Sequence, residues 1–299
     1  MKRGDRYMNT ASLVSIIFPA KNEGINVKQT LDSLFSTSSD IPFEVIIVDD
    51  GSSDGCCDFL KNYKESARIK TITTKGVGPS NARNMGAQQA SGDYYIFCDA
   101  HLKFEDKWID RLLAPLLAKK TDAITPAIAS MDHRRSIGFG QTLTPALSIK
   151  WNKRQQGLFE TAVLPGGCFA ISRTAFEDVG GFETGFVTWG HEDVEISIKL
   201  WLFGYRCHVE PDVRVLHLFR RKHPYTVTFD DVSYNLLRMA YSHFNKTRIK
   251  KCKRLLRGRN ISQIEPKLLK SGILKQREEY FKKRKYDDDW YFKKFNINF

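Results

Sequence analysis

The sequence has no long apolar run and no regular cysteine spacing. No stretch approaches the roughly 18 uninterrupted apolar residues that a membrane-spanning helix needs, and residues 1–12 lack the apolar core of a signal peptide. The six cysteines form neither CxxC pairs nor a dense disulfide pattern, and several lie in apolar contexts, as reduced core cysteines do. These absences predict a cytoplasmic protein rather than an integral membrane protein or a disulfide-rich secreted domain.

A glycine fingerprint for dinucleotide binding is also missing. The stretch GVGPSNARNMG has Gly76 and Gly78, but Asn81 stands where the third glycine of that fingerprint belongs. It also follows the third strand-like run of the chain rather than the first. We therefore exclude a dehydrogenase of the Rossmann type.

Positive charge is concentrated at the C-terminal end of the chain. The formal net charge is +13. Residues 246–299 contain 18 Lys and Arg against 6 Asp and Glu, whereas the 245 residues before them contain 29 against 28. Because the pattern also becomes helical from residue 230, we predict a near-neutral catalytic or binding domain over 1–229 and a basic helical extension over 230–299.

Apolar strand patterns alternate with helix patterns over the first 120 residues. The four strand-like runs are LVSIIF (13–18), FEVIIV (43–48), IKTIT (69–73) and YYIFC (94–98). Continuous apolar strands separated by helices are typical of a mostly parallel sheet with helices on both faces, so we expect an α/β fold. Ligands of such sheets bind beyond the carboxyl ends of the strands. Three of these ends carry polar clusters: AKNEG, DDGSSDG and DAH.

The fourth strand ends in a carboxylate and an imidazole two residues apart, Asp99 and His101. Together with His217, they offer one carboxylate and two neutral imidazoles, which can hold a divalent ion and leave positions open for phosphate oxygens. Carboxylate and phosphate favour Mn²⁺ or Mg²⁺, and imidazole shifts the preference toward Mn²⁺. A polar loop and a structural histidine are the alternative interpretation of these three residues.

A basic, aromatic loop follows His217 and contains Arg220, His223 and Tyr225. Arginine supplies a rigid fork of donors for phosphate oxygens, and tyrosine and histidine add further donors. This composition favours a phosphate site, with a solvated basic loop as the alternative.

The stretch WGHEDVE places Glu192 and Asp193 at the start of a predicted helix. Carboxylates in a first turn are favoured by the helix dipole without any function. Trp189 and Gly190 immediately before them are harder to explain as capping. They indicate a hinged aromatic lid beside a general base.

These motifs resemble the nucleotide-sugar-dependent glycosyltransferases of family 2, which have the GT-A fold. The matching stretches are VSIIFPAKNEG, VDDGSSDG, GPSNARNMGAQQASGDYYIFCDAH, LPGGCFAISR and GHEDVEIS, and they occur in the family's order. The resemblance covers residues 12–225. It implies a nucleotide-binding half over residues 12–115 and an acceptor half over residues 116–229.

The catalytic half also resembles the polypeptide N-acetylgalactosaminyltransferases. Those enzymes have a D-x-H motif, a Trp-Gly-Gly-Glu loop and a His-x-Phe-Arg stretch, and here DAH, WGHE and HLFRRKHPY occupy the three places. This resemblance implies that Asp99, His101 and His217 bind Mn²⁺, or Mg²⁺, and that a UDP-sugar is the donor. The nucleotide-sugar contacts that it implies are Arg220, His223 and Tyr225 at the diphosphate, Trp189 on a mobile loop, Gly166 and Gly167 beside the sugar, Arg83 near the nucleotide, and Pro19, Ala20, Glu23 and either Asp49 or Asp50 at the base and ribose.

The resemblance predicts transfer of a hexose or N-acetylhexosamine from a UDP-sugar to a hydroxyl or other nucleophile. Asp193, with Glu192 beside it, stands where inverting family members keep their catalytic base, so we expect inversion. The peptide-modifying enzymes have asparagine at that place and retain configuration, and His191 replaces one glycine of their loop. We expect a saccharide, a lipid-linked glycan or a peptide as acceptor. The alternatives are a retaining peptide N-acetylhexosaminyltransferase and a non-catalytic scaffold that binds nucleotide-sugars.

Residues 246–299 have three possible uses: contact with the anionic inner face of the membrane, binding of an acidic acceptor, or solvation without a partner. The segment KKRKYDDDWYFKKF mixes aromatic and charged residues, which favours docking at an interface. We expect no nucleic-acid partner, because the rest of the chain carries a complete donor site. The predicted location is the cytoplasm, with peripheral contact at the inner face of the membrane.

Overall fold

The computed structural model describes residues 12–220 and 222–299. The strands are β1 (Val14–Ala20), β2 (Phe43–Asp49), β3 (Ile69–Thr73), β4 (Tyr94–Cys98), β5 (Leu102–Phe104), β6 (Ala123–Ser130), β7 (Ile137–Gly138), β8 (Gln141–Leu143), β9 (Ile149–Trp151), β10 (Phe159–Glu160), β11 (Cys168–Ser172) and β12 (Cys207–His217). The α-helices are α1 (Asn26–Ser36), α2 (Pro79–Gln88), α3 (Trp108–Leu117), α4 (Arg173–Asp178), α5 (Glu192–Phe203), α6 (Phe229–His243), α7 (Lys246–Leu255), α8 (Ile261–Lys270), α9 (Ile273–Lys283) and α10 (Asp288–Lys294). Two short 3₁₀ helices cover Asp58–Asn62 and Ser66–Arg68.

The four strand-like runs of the N-terminal half form β1, β2, β3 and β4. Strand β1 pairs in parallel with both β2 and β4, and β3 pairs in parallel with β2. Strands β1 and β2 are almost fully buried, as parallel strands covered on both faces are. Because the strands run in one direction, the residues after Ala20, Asp49 and Cys98 lie at the same edge of the sheet.

The second half of the chain adds antiparallel pairs to this sheet. The strand order is β10-β12-β6-β11-β4-β1-β2-β3, with β5 on β12 and β7 on β6. Strand β11 runs antiparallel between β4 and β6, and β12 is parallel to β6. The mostly parallel arrangement therefore describes the N-terminal part, and the whole sheet is mixed. Strands β8 and β9 form a separate hairpin.

This topology brings three distant segments to one edge of the sheet. Because β11 runs against β4, Gly167 lies beside Asp99, and the Asp99 amide donates to the Gly167 carbonyl at 3.0 Å. Strand β5 pairs with the end of β12 and sets Leu102 opposite His217. The residues that follow β4 and those that end β12 thus lie side by side.

A hydrophobic core lies on each face of the sheet. One core contains apolar residues of α1 and α3, such as Leu31 and Leu112. The other contains residues of α2, α4, α5 and α6, such as Ala82, Phe176 and Leu237. Helices therefore cover both faces, as the sequence predicted.

The helices after residue 230 pack into the second core. Tyr291 and Phe292 of α10 are buried, and the ring of Phe295 lies 5.1 Å from that of Trp201 on α5. The aromatic residues of this segment therefore pack inside the fold, and the expectation that they dock at an interface is wrong. The boundary near residue 230 stays a prediction. Within the described residues, no helix is both long enough and apolar enough to cross a bilayer.

Candidate active site

A cleft of about 890 Å³ opens at the edge of the sheet where these strand ends meet. Its walls come from the ends of β1, β4 and β12, from the turn before β11, and from the loops before α2, α5 and α6. Every site residue predicted from the sequence lines this cleft except Asp49, whose carboxylate accepts from the Ser52 amide at 2.9 Å.

The three predicted metal ligands lie together at the base of the cleft. One ligand atom from each of Asp99, His101 and His217 lies within 4.8 Å of the other two. The Nε2 atoms of His217 and His101 lie 3.1 and 3.9 Å from Asp99 Oδ2, so both imidazoles face the same carboxylate. One carboxylate and two imidazoles at this spacing fit a Mn²⁺ ion that keeps positions open for phosphate oxygens.

Glu23 orients one of these ligands from behind. Its carboxylate lies 3.2 Å from Nδ1 of His101, which leaves Nε2 of that ring facing Asp99. The guanidinium of Arg220 contacts both oxygens of the same carboxylate. Burial alone would raise the pKa of Glu23, but the hydrogen bonds and charges of His101 and Arg220 outweigh it and lower that pKa. The sequence predicted Glu23 and Arg220 as separate nucleotide contacts, and the structure joins them in an ion pair.

Arg83 lies beneath the ligands and is almost fully buried. Its guanidinium lies 3.0 Å from Asp99 Oδ1 and 3.4 Å from Glu192 Oε1, so it joins the carboxylate of Asp99 to that of Glu192. Burial opposes the charge on Asp99, but the His217 hydrogen bond and the nearby His101 and Arg83 charges hold the pKa of Asp99 well below its usual range. Asp99 is therefore ionised at neutral pH, the state in which a carboxylate can bind a metal ion.

Two glycines before β11 allow close approach to the ligands and to α5. A Cβ on Gly167 would lie 3.1 Å from Cδ2 of His217, and a Cβ on Gly166 would lie 3.3 Å from Cβ of Asp193. Gly166 also donates its amide to Asp193 Oδ2 at 3.2 Å. A side chain on either glycine would therefore crowd its neighbour.

Asp193 and Glu192 begin α5 at the cleft wall. Burial and the neighbouring charge of Glu192 raise the pKa of Asp193 to about 6. A carboxyl group with such a pKa is mostly ionised at neutral pH and remains basic enough to accept a proton, which suits a general base. Glu192 is held by Arg83 and by the Gly190 amide at 2.9 Å.

Asp50 holds a loop of the cleft wall. Its carboxylate accepts from the Thr74 hydroxyl, from the Val77 amide at 2.6 Å and from the Gly78 amide at 2.9 Å. The sequence predicted that either Asp49 or Asp50 contacts the base and ribose of the nucleotide. Of these two aspartates, only Asp50 lies in the cleft wall. Pro19 and Ala20, at the end of β1, also lie in this wall.

The Trp189 loop is anchored by a residue that the sequence analysis missed, Asn235 of α6. The fully buried Asn235 amide accepts from the Val187 amide at 2.9 Å. It donates to the carbonyls of Val187, Trp189 and Gly190 at 2.8, 3.3 and 3.0 Å. The Thr188 hydroxyl adds a bond to Asp231 at 2.9 Å. Asn235 lies 46 positions after Trp189 in a helical pattern, so no local signal indicated this contact.

His223 and Tyr225 complete the outer wall. The His223 ring lies 4.4 Å from the Trp189 ring and 5.7 Å from the Tyr225 ring. Burial lowers the pKa of His223 and raises that of Tyr225. A neutral imidazole and a protonated phenol are both available as hydrogen-bond donors at neutral pH.

The cleft also contains residues without a sequence-based prediction. Lys21 follows the end of β1 and lies 5.7 Å from the Tyr225 ring centroid. Trp151 of the β8–β9 hairpin contacts Phe219, whose ring lies 4.4 Å from that of His217. The lysine of AKNEG could have been noticed at a strand end. Trp151 lies in a short strand whose position only the tertiary fold reveals.

Comparison with known proteins agrees with this arrangement. The family model described as glycosyl transferase family 2 matches residues 15–180, more than half of the chain. The chain belongs to glycosyl transferase family 2. A second family model, described as the N-terminal domain of galactosyltransferase, matches residues 157–224 of this family 2 chain.

The curated relatives confirm the resemblance to polypeptide N-acetylgalactosaminyltransferases. Polypeptide N-acetylgalactosaminyltransferase 8 of Drosophila melanogaster is 35% identical over 225 residues, which is 69% of this chain and 38% of that protein. The human polypeptide N-acetylgalactosaminyltransferase 10 is 31% identical over 257 residues, which is 79% of this chain and 42% of that protein. The family 2 chain therefore spans about two fifths of the length of these relatives.

Solved structures share the fold at low sequence identity. GalNAc-T7, crystallised with UDP, GalNAc and Mn²⁺, superposes with a TM-score of 0.75 at 21% identity, over 96% of this chain and 57% of that chain. Residues 1–349 of TarS from S. aureus, in complex with UDP-GlcNAc, superpose with a TM-score of 0.61 at 18% identity, over 81% and 70% of the two chains. These similarities confirm the GT-A fold.

Proposed function

We propose that this family 2 protein is a Mn²⁺-dependent glycosyltransferase that moves a hexose or an N-acetylhexosamine from a UDP-sugar to a hydroxyl acceptor. The observation that carries the proposal is the cluster of Asp99, His101 and His217 at the base of a cleft. The identity of 35% to a polypeptide N-acetylgalactosaminyltransferase supports the same donor class.

The ligand set itself supports a divalent ion. Asp99 is ionised, His101 is oriented by Glu23, and the buried Nδ1 of His217 has no hydrogen-bond partner among the described residues. A bound Mn²⁺ would neutralise charge on the diphosphate leaving group. His223 and Tyr225 stand in the same wall and offer further donors to phosphate oxygens.

We propose Asp193 as the general base. Its pKa of about 6 and its place in the cleft wall allow it to take the proton of an acceptor hydroxyl at neutral pH. A base that deprotonates the acceptor on the face opposite the leaving group gives inversion at the anomeric carbon. Asp193 Oδ2 accepts a hydrogen bond from the Gly166 amide at 3.2 Å, in the turn where Gly167 lies beside His217.

A retaining transfer to a peptide is the second candidate function. It is favoured by the relatives, whose names describe polypeptide N-acetylgalactosaminyltransferases. Wild-type protein incubated with UDP-GalNAc and either peptides or oligosaccharides, followed by NMR of the anomeric proton, separates the two candidates. A β-linked product supports inversion by Asp193, and an α-linked product supports retention.

The donor site is tested first without an acceptor. Hydrolysis of a UDP-sugar panel is measured with Mn²⁺, Mg²⁺ or EDTA, and calorimetry measures UDP binding with Mn²⁺. We expect Mn²⁺-dependent binding and slow hydrolysis of one sugar, and we expect His217→Ala to lose both. Wild-type protein that fails to bind UDP with Mn²⁺ would contradict the donor site. Binding without hydrolysis or transfer to any acceptor would leave the non-catalytic scaffold.

A further inference from the structure

Residues 246–275 carry a strongly unbalanced charge. They contain eleven lysines and arginines and one acidic residue, Glu265. Lys253 pairs with Glu265, and Arg248 pairs with Asp288 and Asp289. The other nine basic side chains are exposed, and none forms an ion pair with a described residue. We call these nine side chains the basic surface.

The geometry of α7 gathers part of the basic surface on one helix face. Ile249 and Cys252 are the buried residues of α7. Lys250 and Arg254 are exposed and spaced four apart, so they lie on one stripe of the helix, roughly opposite that buried pair. Without compensating acidic groups, such a stripe produces a positive potential that attracts anionic partners.

The remaining members continue from α7 onto the next two helices. Lys246 and Lys251 are the other members on α7, Arg257 and Arg259 lie in the loop after it, and Lys267, Lys270 and Lys275 lie on α8 and α9. Helices α7, α8 and α9 all pack on α6, and α8 also packs on α9, so the basic surface lies on neighbouring helices.

The segment after residue 275 does not extend this surface. Residues 276–299 contain seven basic and five acidic residues. Lys283 pairs with Asp178, and Lys294 pairs with Glu160, so both lysines contact the part of the chain before residue 230. These ion pairs hold the segment against residues 12–229. The buried aromatic side chains of Tyr291 and Phe292 do the same. The exposed, unpaired positive charge is therefore concentrated in residues 246–275 and does not extend over the whole of residues 246–299.

Exposed leucines are adjacent in the sequence to three members of the basic surface, Arg254, Lys270 and Lys275. Leu255, Leu269 and Leu274 are 43%, 41% and 49% exposed, and they belong to α7, α8 and α9. Lysine and arginine mixed with exposed apolar residues are typical of surfaces that lie on an anionic bilayer. An acidic peptide or a nucleic acid would use the charge and leave the leucines in water. We propose that the basic surface docks this protein on an anionic lipid bilayer.

This docking places the cleft beside the lipid. The Arg259 guanidinium lies 4.3 Å from the Phe229 ring centroid, and the Asn260 amide donates to Asp230 at 2.8 Å. Both contacts are at the start of α6, where Thr226 and Val232 line the cleft. A lipid-linked acceptor would therefore meet the cleft at the membrane, an extension that rests on the proposed function.

Vesicle flotation with the whole chain tests the docking. Vesicles of phosphatidylcholine alone are compared with vesicles that contain about 30% phosphatidylglycerol, at low and high salt. We expect binding only to the anionic vesicles and release by salt. Lys250→Glu with Lys251→Glu should lower the bound-to-free ratio at least about tenfold. Leu255→Ser with Leu269→Ser should weaken binding at unchanged charge.

The control reverses two lysines of the catalytic half, Lys61 and Lys64, which are exposed and form no ion pair with a described residue. Lys61→Glu with Lys64→Glu should bind vesicles as wild type does. Equal binding to neutral and anionic vesicles, or an equal loss in the control, would overturn the proposal. Binding to RNA or heparin without binding to vesicles would also overturn it and would assign the surface to a polyanion. UDP binding, measured on the same samples, reports separately on the donor site.

Discussion

Replacement of Asn235 tests whether α6 positions the loop beside the proposed base. In Asn235→Leu the side chain keeps its branched shape and its number of heavy atoms and loses every hydrogen bond to the backbone of residues 187–190. The native amide supplies one acceptor and two N–H groups. At about 1 kcal/mol for each, the loop loses roughly 3 kcal/mol of anchoring.

The loop depends on this anchoring because its backbone is strained. Thr188 and His191 have φ angles of 50° and 69°, in the left-handed region that side chains other than glycine rarely adopt. Once released, the loop is expected to leave this conformation and to displace Trp189 and the start of α5. A loss of roughly 3 kcal/mol corresponds to about a hundredfold lower kcat for donor hydrolysis or transfer.

Two readouts separate positioning from general damage. Amide hydrogen exchange of residues 187–190 should accelerate in Asn235→Leu, and the dissociation constant of UDP with Mn²⁺ should change little, because Asn235 contacts none of the ligands. Asn235→Asp keeps the acceptor for the Val187 amide and should show a smaller effect. Asn260→Ala, which removes an exposed contact to Asp230 at the same helix, serves as the matched control.

The outcome that refutes this reasoning is specific. If Asn235→Leu keeps both the exchange rate of the loop and kcat within about threefold of wild type, the hydrogen bonds contribute nothing to the position of the loop. A fall in kcat with an unchanged exchange rate would also contradict the mechanism, since the loop would then still be held.

Further measurements address the pH profile, the ligand turn and the core. The rate of sugar transfer should rise from pH 5 to 7 with an apparent pKa near 6, because Asp193 accepts a proton only when it is ionised. Asp193→Asn should lower the rate and remove this pH dependence. A wild-type rate that is constant over this range would contradict Asp193 as the base. In Gly167→Ala the added Cβ, 3.1 Å from the His217 ring, should displace that ligand and weaken Mn²⁺ binding about tenfold or more by calorimetry, and unchanged affinity would show that the turn gives way. Lys199→Met should lower the free energy of unfolding in urea by about 3–5 kcal/mol, because it removes the lysine that pairs with the buried Glu195 carboxylate. A decrease below about 1 kcal/mol would mean that His243 alone compensates the charge of Glu195.

The sequence predicted the parts of the site that lie at strand ends. Asp99 and His101 immediately follow a buried apolar strand, and the edge of a parallel sheet is where such residues converge. His217 could be added because the motifs occur in a known order. The tertiary fold then needed only to bring two segments 116 positions apart to one edge.

The contacts that position these residues were not predictable, because they are long-range and use ordinary residue types. Glu23 and Arg220 are 197 positions apart, and each was assigned a nucleotide contact from its own motif. Asn235 lies in a helix whose pattern indicates only amphipathicity. The burial of Tyr291 and Phe292 was missed for the opposite reason, because the surrounding charges concealed an apolar stripe that packs against the catalytic half.

The carboxylate of Glu23 has a consequence for how the binding of an ion and the binding of a nucleotide affect each other. It contacts His101 on one side and Arg220 on the other. An ion bound at His101 would therefore change the environment of Arg220, and a phosphate bound at Arg220 would change that of His101. Thermodynamic reciprocity then requires that whatever a divalent ion does to nucleotide affinity, the nucleotide does to ion affinity by the same factor. With the ion at His101 and the diphosphate at Arg220, as predicted, Glu23 would couple the two binding equilibria, and Glu23→Gln should weaken that coupling even where each ligand still binds alone.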